Sequence, residues 1–206
     1  MNRAELKAAA KSQIKGKIGI LFLITLIIGL ISGLAGTVLS FIPGGGIVAS
    51  VIITPAFALS MIRVYLNVVK GATPTAGDAF CGFDDFWSAF KVTFLAGLFT
   101  FLWSLLFCIP GIIKAISYSM APYILAENKG KSARECIKES MAMTDGYKMD
   151  LFVLELSFIG WGFLCAITLG IASIWVIPYI QATYVNAYNS LKPAAPVAEQ
   201  PVVAAE

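Results

Sequence analysis

Few residues in this sequence are placed to do chemistry. Histidine is absent, which removes the commonest general base and metal ligand. No Gly-x-Ser-x-Gly elbow occurs, and no carboxylates cluster inside the apolar runs. Neither a nucleophile with its base nor a pair of acids is available. The four cysteines (Cys81, Cys108, Cys136, Cys165) are far apart with no CxxC pair, so they read as packing residues and not as a zinc or redox site. Asp84 and Asp85 are adjacent and diverge on a helix, reading as solvated anchors. We expect no catalytic residue, no metal and no cofactor.

What remains is charge in unusual places. Arg63, Glu155 and Lys114 interrupt apolar runs, and charges there are functional suspects by default. Arg63 lies about 10 Å along a helix from Lys70, and Glu155 about 7 Å from Asp150. The two are at similar depth. Either they pair between neighbouring spans, or each snorkels to the headgroups. Lys114 reads as snorkelling at the outer end of its span. Outside the apolar runs, Arg3, Lys7, Lys11 and Lys15 recur every four residues and form one basic stripe on a helix. A second basic group comprises Lys129, Lys131, Arg134 and Lys138. Both groups are candidates for binding lipid headgroups.

The elements that carry these residues follow from composition. The chain has 206 residues, 58% hydrophobic and 13% charged. Soluble domains are about one-quarter charged, so the charges are sparse, and they also cluster. The apolar runs between them are long enough to cross a bilayer, which needs about 20 residues. The expected fold is an all-α polytopic bundle of about six transmembrane helices in three hairpins, with interfacial amphipathic helices.

Residues 1–17 form the basic amphipathic helix, capped by Asn2 with Glu5 three residues on, and with a thin apolar stripe of Leu6, Ala10 and Ile14. The membrane domain covers 18–190, with spans at 18–41, 47–69, 92–109, 112–126, 151–169 and 171–188. Turns are expected at Pro43-Gly44, Pro110-Gly111 and Leu169-Gly170. As a single helix, 94–125 would measure about 48 Å against a hydrocarbon core of about 30 Å, so a turn inside it is required. Gly29 and Gly33 allow close helix approach, with packing inside the chain as the plain account. Pro55, Pro122 and Pro178 lie in the three returning arms as helix kinks. Gln181, Asn186 and Asn67 are candidates for bonds between helices. Phe80, Phe83, Trp87 and Phe90 suggest an interfacial helix. Ser132-Ala133-Arg134-Glu135 starts a helix that runs to about Thr144. The tail 191–206 is too poor in large apolar groups to fold.

With the N-terminus inside, the three outer turns carry no Lys or Arg, and all of the fifteen except Arg63 and Lys114 lie at the inner face. Both termini are then cytoplasmic. A net charge of +3 spread along span ends does not suggest nucleic acid. Ile42-Pro43-Gly44 and Ile109-Pro110-Gly111, each followed by a second proline twelve residues after the first, hint at a repeated hairpin.

Several motifs occur in order: Asn2-Arg3-Ala4-Glu5-Leu6-Lys7, Tyr118-Ser119-Met120-Ala121-Pro122-Tyr123, Ser132-Ala133-Arg134-Glu135, Asp150-Leu151-Phe152-Val153-Leu154-Glu155, Thr168-Leu169-Gly170-Ile171 and Ile177-Pro178-Tyr179. Together they resemble the bacterial membrane-protein family catalogued as domain of unknown function 975. The resemblance implies a multi-pass plasma-membrane protein and brings no activity, cofactor or catalytic residue. Tyr147 stands where related sequences often carry histidine, so a histidine-dependent role would not apply here. The hairpins also resemble the membrane domain attached to some glycerophosphodiester phosphodiesterases, which implies lipid association. Two functions follow as expectations. One is a non-catalytic membrane protein that binds lipids, partner membrane proteins or a second copy of itself at the cytoplasmic face. The other is a small transporter or channel with a polar intramembrane site.

Overall fold

The computed structural model describes residues 2–41, 45–106 and 108–192. All regular structure among them is helical. Helix α1 (Arg3–Ile14) opens with Asn2, whose Oδ1 accepts from the Ala4 amide while its Nδ2 donates to Glu5 Oε1 at 2.6 Å. The two residues cooperate as expected, but through side chains. Gly16, at φ 83°, turns the chain into α2 (Ile18–Ser40); a residue with a Cβ is strained there. Helix α3 (Gly45–Val69) returns with Pro55 in its interior.

Two short 3₁₀ turns follow, Ala76–Phe80 and Phe83–Asp85, and then α4 (Phe86–Leu106). The aromatic segment is therefore not one interfacial helix. Phe80 and Phe83 cluster on Phe57 of α3, with Phe83 edge-on at 5.1 Å, while Trp87, Phe90 and Phe94 stack along α4.

Pro110-Gly111 does not form the turn expected there. Helix α5 (Cys108–Tyr118) already contains both residues. Pro110 sits in its first turn, where a missing N–H costs nothing. Gly111 is buried against α4, and a Cβ there would overlap Ser104. The glycine thus lets the two arms of this hairpin approach closely. The expected fourth span also breaks: α5 ends at Tyr118, and α6 (Ala121–Glu127) begins after Ser119-Met120. Pro122 is the second residue of α6, not a kink inside a longer helix. Pro55 and Pro122 therefore occupy unlike positions, which removes one support for a repeated hairpin; Ile42-Pro43-Gly44 lies outside the described residues.

Helix α7 (Ala133–Thr144) starts at the expected capping box. The span expected at 151–169 begins earlier and bends, as α8 (Lys148–Leu156) and α9 (Ile159–Ile167) joined at Ser157-Phe158. Leu169 (φ 50°) and Gly170 (φ 88°) make the expected turn into α10 (Ser173–Leu191), which carries Pro178 in its interior. The tail expected not to fold over 191–206 begins later: Leu191 is the buried last residue of α10 and Lys192 pairs with Glu127, while residues 193–206 lie outside the described residues.

Among the described residues, four stretches are long and apolar enough to cross a membrane: Ile18–Leu39, Ala76–Leu105, Ile109–Glu127 and Lys148–Ile167. The described apolar part of α3, Ile53–Val69, is shorter.

Burial divides the molecule along its length. At one end a core of α1, the second half of α3, α6, α7, α8 and α10 closes around Tyr65, Ile124, Leu125, Leu154 and Val185. Most charges gather there, so we call it the charged end. Toward the other end, α2 exposes Leu26, Leu30, Leu34 and Val38 at helical spacing, and α4, α5 and α9 expose Phe101, Leu105, Ile109, Phe163 and Ile167. Such a continuous apolar surface is far larger than soluble monomers carry. A Cβ on Gly29 or Gly33 would meet nothing within 4 Å, so the expected packing of this pair inside the chain is not found among the described residues.

Candidate functional site

The charged side chains fall into two groups, those holding helices together and those facing outward. Arg63 belongs to the first. It is buried on α3, and its Nη1 donates to the Cys81 carbonyl at 2.6 Å, its Nε to the Ala126 carbonyl at 3.4 Å, and its Nη2 to Asp85 Oδ2. Neither expectation for it holds: it does not pair with Glu155 and does not snorkel. Its carboxylate partner, Asp85, was expected to be a solvated anchor. A guanidinium offers five donors in a planar fork, and here that fork ties α3 to the 3₁₀ segment and to the end of α6. The same segment is clamped a second time, where the Gly82 amide donates to Ser60 Oγ at 2.8 Å. Glu155 lies on the exposed side of α8 and interacts with Tyr184 of α10. Lys114, half-buried on α5, lies over the Trp103 ring of α4 at 5.1 Å; it is a contact within the α4–α5 hairpin.

Glu127, not singled out by its sequence context, is a hub. It accepts from Tyr188 Oη at 2.9 Å and from Lys70 Nζ at 3.2 Å, and it pairs with Lys192. The ends of α3, α6 and α10 converge on this one carboxylate. The break between α5 and α6 is served by α7. Ser140 Oγ donates to the Ser117 carbonyl at 2.7 Å and accepts from the Met120 amide at 3.2 Å, and Thr144 is buried beside it. Backbone groups freed by the break therefore find partners on a neighbouring helix, as burial demands. A serine four residues before a threonine on an amphipathic helix is the only sequence signal for this.

Helix α1 does not lie free. Ala10 and Ile14 are buried against α10, whose Asn186 Nδ2 donates to Gln13 Oε1 at 2.8 Å. Asn186 thus makes the expected interhelical bond, whereas Asn67 is exposed. On the basic stripe, Arg3 lies 4.0 Å from Asp150, and Lys7 donates to Ser157 Oγ at 2.7 Å while sitting over the Phe158 ring. These two fasten α1 to α8 and its bend. Lys11 and Lys15 are exposed and form no ion pair among the described residues. In the second basic group Lys131 pairs with Glu139 at 2.5 Å and Lys129 lies 4.0 Å from Asp84, leaving Arg134 and Lys138 exposed and unpaired on α7. The Ser132 backbone amide and hydroxyl hold the Glu135 carboxyl below its ordinary range, fixing the start of that helix. Among the described residues, four of the eight basic candidates are therefore engaged within the fold and four, with no ion pair, are presented outward.

Beside Lys11 and Lys15 a groove of about 450 Å³ runs between α1 and α9 over α10, lined also by Ile14, Ile18, Trp161, Trp175, Val176 and Tyr179. Next to Pro55 the cleft between α3 and α4 is lined by Phe90, Phe94, Leu98 and Phe101 with two threonines, which is not the polar cavity that transport would require. Of the described cysteine side chains, Cys136 is buried and Cys81 and Cys165 are partly buried, and all three are free. No group of three metal-binding side chains occurs among the described residues.

Compared with known families, residues 1–117 and 105–195 match the model described as Protein of unknown function (DUF975). No curated protein and no solved structure gives a significant match. The matched stretches take in nearly the whole helical region, and the chain belongs to the DUF975 family.

Proposed function

We propose that this is a multi-pass, non-catalytic protein of the bacterial plasma membrane that engages acidic lipids at the cytoplasmic face, with both termini on that side. One observation carries the reading: Lys11, Lys15, Arg134 and Lys138 have no ion-pair partner among the described residues, while their stripe-mates are tied into the fold. Unpaired cations at a membrane surface attract anionic lipid, each contributing about 1 kcal/mol. The hydrocarbon boundary then runs level with Lys11, Lys15, Lys17 and the Ser157-Phe158 bend. Lys17 reaches the carbonyls of Gly71 and Ala72 just past α3, consistent with that level. On this placement Glu155 is on the polar side and is not an intramembrane charge. The apolar surface beyond the boundary faces lipid tails.

The test is thermal unfolding of the protein in neutral detergent with added phosphatidylglycerol or phosphatidylcholine. The acidic lipid should raise Tm by several degrees more than the zwitterionic one, and the difference should shrink as salt screens the lysines. Equal stabilisation by both lipids, at low salt, refutes the proposal.

A further inference from the structure

We propose that the groove between α1 and α9 is a binding site for one acidic phospholipid, with its phosphate between Lys11 and Lys15 and an acyl chain along Trp161 and Trp175. This rests on the acidic-lipid reading above and assigns it to one place. The two lysines are one helical turn apart, so their Cα atoms are about 6 Å apart along the axis, and two ammonium groups can flank one phosphodiester. No carboxylate lines the groove, so nothing inside it competes for the lysines. Below them the wall is apolar and aromatic, and Trp161 meets Tyr179 edge-on at 5.7 Å. Trp161 is 40% exposed and Trp175 55% exposed, so both indoles keep a free face along the groove. Tryptophan and tyrosine next to lysine is the composition found where headgroups meet chains. The volume is within the range of small-molecule sites.

Other occupants leave half of the groove unsatisfied. A free phosphate would pair with the lysines and touch none of the indoles. An apolar helix would cover the indoles and bury two unpaired ammonium groups, at a cost of several kcal/mol. An anion joined to a hydrocarbon chain satisfies both. Helix α9, which buries none of its own residues, supplies Trp161 to the wall along which that chain lies.

The experiment is native mass spectrometry of the full-length protein after exchange from phosphatidylglycerol-containing micelles, with phosphatidylcholine as the control lipid. One phosphatidylglycerol per chain should survive in the wild type. Retention should fall at least tenfold in K11Q/K15Q, persist in K11R/K15R and persist in R134Q/K138Q. In a W87F/W103F background, brominated-chain phosphatidylglycerol should quench the remaining fluorescence of Trp161 and Trp175 more than brominated-chain phosphatidylcholine does at equal lipid, and K11Q/K15Q should remove that difference. Both lysines are exposed, and an unchanged Tm in lipid-free detergent checks that K11Q/K15Q folds. Loss of lipid from R134Q/K138Q with retention in K11Q/K15Q would overturn the groove and leave the acidic-lipid function standing. Equal retention of phosphatidylcholine, or no retained lipid in the wild type, would overturn both.

Discussion

The Arg63 cluster permits the most quantitative test of how this bundle is held together. Replacing Arg63 with Met removes one ion pair and two hydrogen bonds to carbonyls at once. Breaking a buried pair by removing one partner costs about 3–5 kcal/mol. Asp85 keeps 20% of its side-chain surface exposed against 8% for Arg63, so the abandoned carboxylate regains part of its hydration. We therefore expect the lower end, about 3 kcal/mol. Asp85→Ala should cost about 2 kcal/mol, because Arg63 retains the Cys81 and Ala126 carbonyls and stays partly satisfied. The double variant should be about 2 kcal/mol more stable than the sum of the two losses, since the second substitution removes a partner already lost. The same cycle with Arg63→Met and Glu155→Ala should be additive to within about 0.5 kcal/mol, as expected of groups with no shared partner. Reversible unfolding in mixed micelles, followed by tryptophan fluorescence, supplies all the terms. Coupling to Glu155 larger than coupling to Asp85 would refute the placement of the guanidinium.

Three further expectations follow from single sites. Gly82→Ala should destabilise by more than about 2 kcal/mol, because its Cβ would lie 2.6 Å from the Ser60 backbone nitrogen and strain of this kind cannot relax by a rotamer change; Gly160→Ala, where a Cβ meets nothing, should be neutral in the same unfolding assay. Ser140→Ala should cost about 1–3 kcal/mol, since the Ser117 carbonyl and Met120 amide lose a buried partner, with faster amide exchange confined to residues 117–121. The Glu135 carboxyl is held below its ordinary range, so its contribution to α7 is complete above the unfolded value of about 4.3 and is lost as pH falls through the folded one; amide exchange at residues 133–136 should quicken on the acid side only.

Much of the architecture was legible because apolar length and capping chemistry are local properties. The Asn2 start, the Ser132–Glu135 box and the Leu169-Gly170 turn all stand as expected. Two of the misplaced elements share one cause. In sequence, proline reads as a helix breaker, so Pro110 suggests a turn and Pro122 a kink, yet both sit in the first turn of a helix, where proline is well tolerated. Hydropathy also could not reveal the breaks at Ser119-Met120 and Ser157-Phe158. At the first break the freed backbone groups are satisfied by Ser140, distant in sequence; at the second Ser157 Oγ donates to the Leu154 carbonyl and itself accepts from Lys7, and both partnerships with other helices are tertiary facts.

The functional residues were harder for the same reason. A helical stripe predicts that Arg3, Lys7, Lys11 and Lys15 share a face, but not what each one meets. Because α1 lies along α10 and begins beside α8, the first two reach Asp150 and Ser157, while the last two come to the mouth of a groove built by α9 and α10. One stripe therefore does two jobs, fastening at its N-terminal half and presenting charge at its C-terminal half. The division makes the two halves separable. Arg3→Gln and Lys7→Gln should loosen α1 and lower stability while leaving lipid headgroups a binding partner. Lys11→Gln and Lys15→Gln should leave α1 docked, since Ala10, Ile14 and Asn186 hold it, and should remove the charge that an acidic lipid would read.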